Sequence, residues 1–154
     1  MPEDRDPLCE QIYAETQDLV VGLELLLGPE FLEQAIQLRW QLENAARKSA
    51  LVLRCVDDHE AVGKARELLC ALFPDETPIP DIWWSTPLGR ACARTAGHPT
   101  AEQVSYSVAG AMLGGISRQR IGTLVAEGKL DRHSDGGVTI VSIQQRLKSQ
   151  MPSE

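Results

Sequence analysis

Leu8, Ile12, Leu19, Val20, Leu23, Leu26 and Leu27 recur at spacings of three and four residues, which predicts an amphipathic helix carrying them on one face until Gly28-Pro29 stops it. A second helix is expected from near Pro29, a residue suited to a first helical turn, to about Val56 without an internal Gly or Pro. Phe31, Ala35, Leu38, Leu42, Ala45, Val52 and Val56 approximate a 3.5-residue repeat interrupted by Ser49. At about 1.5 Å per residue this helix would be roughly 40 Å long, and a one-sided helix of that length needs another helical surface to cover it, which makes a bundle or a coiled-coil dimer the expected arrangement. A third helix is expected from about His59 to Phe73, with Ala61, Ala65, Leu68, Leu69 and Leu72 inward and Asp57-Asp58 favourably placed at its start.

Pro74, Pro78 and Pro80 fall within seven positions and cannot continue a helix. The expected domains are therefore an acidic helical module over residues 1–75, a Pro-rich linker with a short helix over 76–100, and a third segment over 101–150. Trp83 and Trp84 beside the linker read either as a clamp burying their rings or as a partner-binding or base-stacking surface. Thr86-Pro87 looks like an N-cap followed by an N1 proline, opening a short helix that Gly97 ends. Arg90 and Arg94 lie four apart on it and share a face, where they either touch phosphates or are simply solvated.

In the last segment a short helix is expected over roughly residues 102–113, with Val104, Val108, Ala111, Met112 and Leu113 on its apolar side, broken by Gly114-Gly115. Ser117 comes next as an N-cap, and a second helix keeps Ile121, Leu124 and Val125 inward until Gly128. Two short helices around a glycine turn outline a helix-turn-helix, whose second helix can lie in the roughly 12 Å wide major groove. Its first two turns supply Ser117, Arg118, Gln119, Arg120 and Thr123, all donors suited to phosphate, guanine or adenine. Residues 129–133 and 138–140 read as two short strands around Ser134-Asp135-Gly136-Gly137, a hairpin whose contacts would be Lys129, Arg132 and His133. A final helix from about Ser142 buries Ile143 and Leu147 and shows Arg146 and Lys148 to solvent.

Charge changes the picture in one respect. The chain of 154 residues has a net charge of −7, which argues superficially against a nucleic-acid partner. The balance is uneven: residues 1–80 carry 16 acids against 7 bases and residues 81–154 carry 6 against 8. Any phosphate contact thus belongs to the second half.

Composition, with 43% hydrophobic and 24% charged residues, is that of an ordinary soluble globule. No apolar run reaches the roughly 20 residues of a membrane span, and the acidic, polar start does not read as a signal peptide, so a cytoplasmic location is expected. Cys9, Cys55, Cys70 and Cys92 make no C-x-x-C pair and read as buried or inert free thiols. A zinc site of Cys92, His98 and His133 can be drawn on paper, but no spacing supports it. No glycine loop for phosphates and no nucleophile elbow is present, so neither catalysis nor a cofactor is expected.

Ala111-Met112-Leu113-Gly114, Ile116-Ser117-Arg118-Gln119-Arg120-Ile121, Val125-Ala126-Glu127-Gly128-Lys129-Leu130 and Gly136-Gly137-Val138 together resemble the winged helix-turn-helix of MerR-type regulators and excisionases, over about 50 of the 154 residues. The resemblance implies DNA contacts from the start of the second helix and from the wing, commonly in dimers or repeated copies. Two departures stand out. Gly115 is a second glycine where the pattern has one, and the motif comes after a long acidic helical module, whereas MerR-type regulators begin with it, so effector binding does not carry over.

The fold class expected is mainly α, a helical module followed by a C-terminal winged helix-turn-helix with a small β-hairpin. The function expected is sequence-specific binding of double-stranded DNA by a transcriptional regulator that is a homodimer through its N-terminal helices. The alternatives are a protein-interaction module whose winged unit is only a scaffold, and an accessory factor for recombination or DNA architecture.

Overall fold

The computed structural model describes residues 6–55, 59–75 and 77–151. They are mainly helical, with a small two-stranded antiparallel sheet, and contacts divide the chain into two compact units, Met1–Val52 and Leu53–Glu154. Among the described residues no helix is long and apolar enough to cross a membrane.

The first unit is a pair of helices. Helix α1 (Pro7–Leu27) opens on Asp6, whose side chain accepts a hydrogen bond from the Leu8 N–H at 3.1 Å, with Pro7 in the first turn. A single 3-10 turn, Pro29–Phe31, leads into α2 (Leu32–Arg54). The second helix therefore begins a turn later than Pro29 suggests, and Val56 lies outside the described residues, as do Asp57 and Asp58. Arg39 on α2 donates to Glu24 on α1 at 2.7 Å, and Leu8, Ile12, Val20, Ala35, Ala46 and Ala50 are buried. The apolar face of α1 is only half covered, because Leu19, Leu23, Leu26 and Leu27 are exposed. Ala45, expected on the inner line of α2, is exposed as well.

The second unit is built around short helices. Helix α3 (His59–Leu72) buries Ala61, Ala65 and Leu69, and it packs on α4 (Pro87–Thr95). The proline run thus does not set α3 apart from the rest of the unit: the stretch read as linker and short helix is packed into it. Trp83 and Trp84, in a 3-10 turn over Asp81–Ser85, are the reason. Trp84 is 1% and Trp83 9% exposed, so both rings serve the clamp and neither can stack on a base. Full burial of such a ring contributes about 3 kcal/mol. Phe73 meets Trp83 edge-on at 5.0 Å between ring centroids, and Trp84 meets His98 at 5.5 Å. The Thr86 side chain caps α4 by accepting from the Gly89 N–H at 3.1 Å.

After α4 come strand β1 (Gln103–Val104), α5 (Tyr106–Met112), α6 (Arg118–Ala126), strand β2 (Val138–Thr139) and α7 (Ile140–Ser149). Residues 102–105 are not the helical turn that their apolar spacing suggests. Ser105 is the N-cap of α5, accepting from the Val108 N–H at 3.2 Å, which leaves Gln103 and Val104 extended. They pair antiparallel with β2, Gln103 opposite Thr139 and Val104 opposite Val138. The expected hairpin partner of β2 reduces to one bridge, Arg132 to Val138. Ile140 joins α7 instead of the strand, because the Thr139 side chain caps the helix at that point.

Candidate nucleic-acid interface

Helices α5 and α6 are joined by a turn whose geometry depends on glycine. Gly114 and Gly115 hold φ of +98° and +83°, a left-handed region open to glycine at little cost. The Gly115 and Ile116 N–H groups both donate to the Gly110 carbonyl, at 2.9 and 3.0 Å. The Ile116 carbonyl in turn lies where a Cβ on Gly110 would stand. The second glycine, foreign to the family pattern, is thus one of the residues that tie the turn back onto α5.

Helix α6 starts at Ser117, whose hydroxyl accepts from the Arg120 N–H at 3.2 Å. Ile121 and Leu124 are buried, whereas Ser117, Arg118, Gln119, Arg120 and Thr123 are all exposed. The two sets alternate because polar and apolar positions follow the helical period. Thr123 donates its hydroxyl to the Gln119 carbonyl at 3.1 Å, so toward a ligand it offers lone pairs. The helix closes beyond Glu127, where the Lys129 and Leu130 N–H groups both donate to the Leu124 carbonyl.

The three residues expected on the wing are differently disposed. Lys129 is exposed and pairs with Glu127 at 2.7 Å, a contact that holds the Glu127 carboxyl below the usual carboxylate range. To meet a phosphate it must exchange that carboxylate. Arg132 is exposed at the head of the loop. His133 is half-buried, and its Nδ1 accepts from the Asp135 N–H at 3.2 Å, which leaves Nε2 for an outside partner. The loop is closed by His133 N–H donating to the Gly137 carbonyl at 3.2 Å and Thr139 N–H to the Asp131 carbonyl at 3.0 Å.

Two arginines that share a helical face in the sequence part company in the structure. Arg94 turns inward and donates to the Leu53 carbonyl at 2.8 Å, and its burial lowers the guanidinium pKa from its ordinary value. Arg90 is exposed, and its Nη1 sits 3.7 Å from where a Cβ on Gly114 would be, beside the turn that leads into α6. Periodicity could not have found this position, because it depends on how α4 packs. Arg146, expected in solvent, is half-buried with an Nε that has no partner among the described residues. It lines an open cleft of about 270 Å³ with Lys129, Asp131, Ser142 and Gln145.

Of the thiols read as inert, Cys92 is buried on α4 and pushed up to about 12 by desolvation, with a smaller opposing pull from Arg94. Cys55, just past the end of α2, and Cys70 on α3 are exposed. Comparison of the chain with protein-family models, with curated proteins and with solved structures gives no match.

Proposed function

We propose that residues 101–150 form a winged helix-turn-helix that reads double-stranded DNA, and that the protein is a sequence-specific transcriptional regulator. The observation that carries this reading is the exposure of Ser117, Arg118, Gln119, Arg120 and Thr123 over the first two turns of α6, backed by buried Ile121 and Leu124. A helix with that face fits the major groove, its arginines matched to guanine O6 and N7 and its glutamine to adenine N6 and N7. Lys129, Arg132 and His133 then belong to the wing and meet phosphates or an adjacent groove. Arg90 joins them on the backbone side, since a phosphate beside the α5–α6 turn would come within its reach.

The similarity to MerR-type regulators and excisionases supports the same reading. The 10 acids against 4 bases in residues 1–52 would repel phosphates, so the DNA contacts belong to the second unit.

Binding of the purified protein to genomic DNA fragments at two salt concentrations tests the proposal, with the Arg118→Ala/Arg120→Ala double variant alongside. Each arginine that reads a base is expected to contribute about 1–3 kcal/mol. Affinity should fall steeply as salt rises, because each neutralised phosphate releases counterions. Absence of binding at low salt refutes the reading and favours a protein-interaction module with a scaffold-only winged unit.

A further inference from the structure

Scattered exposed apolar side chains are ordinary on any surface, and Leu51 of the first unit is one of them, but the unit's other large exposed apolar residues stand in the halves of α1 and α2 that adjoin the connecting turn. Leu19, Leu26 and Leu27 on α1 and Leu32, Ile36 and Trp40 on α2 all lie toward the connecting turn, with Leu26 83% and Trp40 66% exposed. Each of these six side chains is more than half exposed, where an ordinary surface scatters such residues singly.

We propose that the turn end of the α1–α2 pair is the seam of a homodimer, its occupant being the same end of a second copy. Charge selects that occupant. Between Leu19 and Trp40 the chain's one base is Arg39, paired with Glu24, and its other acids are Glu30 and Glu33. A helix that lies on an anionic membrane carries basic residues beside its apolar face, and an acidic protein partner needs cations to meet it; this surface has only the paired Arg39. A surface that is apolar and nearly free of charge is instead the composition of a homodimer core. Because the bare residues are spread over both helices, the cover has to be wide, and a second helical pair is wide enough where a single strand or helix is not. Two-fold symmetry then lets each copy cover the other with one and the same patch.

The seam is independent of DNA binding; it rests on that reading only for its consequence, that paired half-sites a whole number of turns apart, about 34 Å for one turn, are preferred over single ones. Salt distinguishes the two. Screening of Glu30 and Glu33 across the seam leaves dimerisation unchanged or tighter as salt rises, whereas DNA binding weakens.

Sedimentation velocity of the full chain over a wide dilution series provides the test, with a monomer mass of 16.9 kDa as the reference. Wild type is expected at twice that mass, and Leu26→Glu or Trp40→Glu should each raise the dimer dissociation constant at least tenfold, on the order of 1.4 kcal/mol. Both variants should keep the wild-type far-ultraviolet circular dichroism, because the replaced side chains are already in solvent. Ile82→Glu, at an exposed apolar residue of the second unit, should leave the dimer intact. Wild type that sediments as a monomer at every concentration overturns the seam and leaves the DNA reading untouched, and so does a dimer indifferent to both seam variants. A chain that is monomeric in solution but floats with neutral phosphatidylcholine vesicles likewise overturns it, with a lipid surface as the occupant. A dimer that binds no DNA supports the seam and sinks the DNA reading alone.

Discussion

Replacing Gly110 with alanine sets two opposed effects on one helix. Propensity favours the change, since alanine in place of a helical glycine gains about 1 kcal/mol. Packing opposes it, because the new Cβ would stand against the Ile116 carbonyl, a backbone atom that cannot swing aside. The carbonyl can move only if the turn moves, and the turn is held by the Gly115 and Ile116 N–H groups donating to Gly110 itself at 2.9 and 3.0 Å. Loosening those bonds costs about 1 kcal/mol each, and overpacking adds about 1–3 kcal/mol. The expected net loss is about 3 kcal/mol, a fall in Tm of roughly 15 °C for a unit of this size. Gly63→Ala is the control: Gly63 lies in α3 of the same unit with nothing within 4 Å of the added Cβ, so propensity acts alone and Tm should rise by several degrees. Differential scanning calorimetry of both variants against wild type reads the two signs directly. A Gly110→Ala protein that melts at or above wild type would show that the turn does not lean on α5, and the orientation of α6 would have to be rethought.

Arg90 and Arg94 should separate in a binding assay. Arg90→Ala is expected to lower the salt slope of DNA binding by about one with little change in stability, whereas Arg94→Ala, which breaks a charged bond to the Leu53 carbonyl, should cost about 2 kcal/mol of folding stability by denaturant titration. Equal behaviour of the two would contradict the packing of α4. His98, lowered in pKa by burial, accepts from the Thr100 and Ala101 N–H groups through Nδ1. The unfolded chain therefore binds the proton more readily, so stability is complete above the ordinary histidine pKa of about 6.5 and is lost as pH falls from there through the depressed folded value. Between neutral pH and mild acid the fall in Tm should be smaller in His98→Asn than in wild type; an unchanged fall assigns it to other groups. Iodoacetamide at mildly alkaline pH should label exposed Cys55 and Cys70 rapidly and spare Cys92, whose thiol is pushed up to about 12, until the chain is unfolded. Mass spectrometry that finds Cys92 labelled in the folded protein would contradict its burial.

Features set by chemistry within a few residues were legible in the chain. Gly28-Pro29 ends α1 in the structure, Thr86-Pro87 opens α4, and Ser117 opens α6 while Gly128 lies just past its end. Caps and breakers act over one turn, so their sequence is their whole cause. The polar row from Ser117 to Thr123 is exposed as its spacing indicates, for the same reason: a helix shorter than three turns has only one side to turn away from Ile121 and Leu124. Features that needed the tertiary structure depend on partners far along the chain. Gln103 and Val104 are a strand only because Val138 and Thr139 arrive beside them, and no local propensity announces a partner that distant. Trp83 and Trp84 could be a clamp or an exposed surface until α4 and α5 closed over them. Periodicity puts Arg90 and Arg94 on one face, yet a face is some 100° wide and the neighbouring helix decides which edge of it meets water. The apolar row of α1 was likewise plain in the sequence, and only the structure decided that Leu19, Leu23, Leu26 and Leu27 stay bare, whereas on α2 the bare Leu32, Ile36 and Trp40 lie outside the row that spacing picks out. Amphipathic spacing fixes which side chains seek cover, and the distance to the next packed element decides whether they find it.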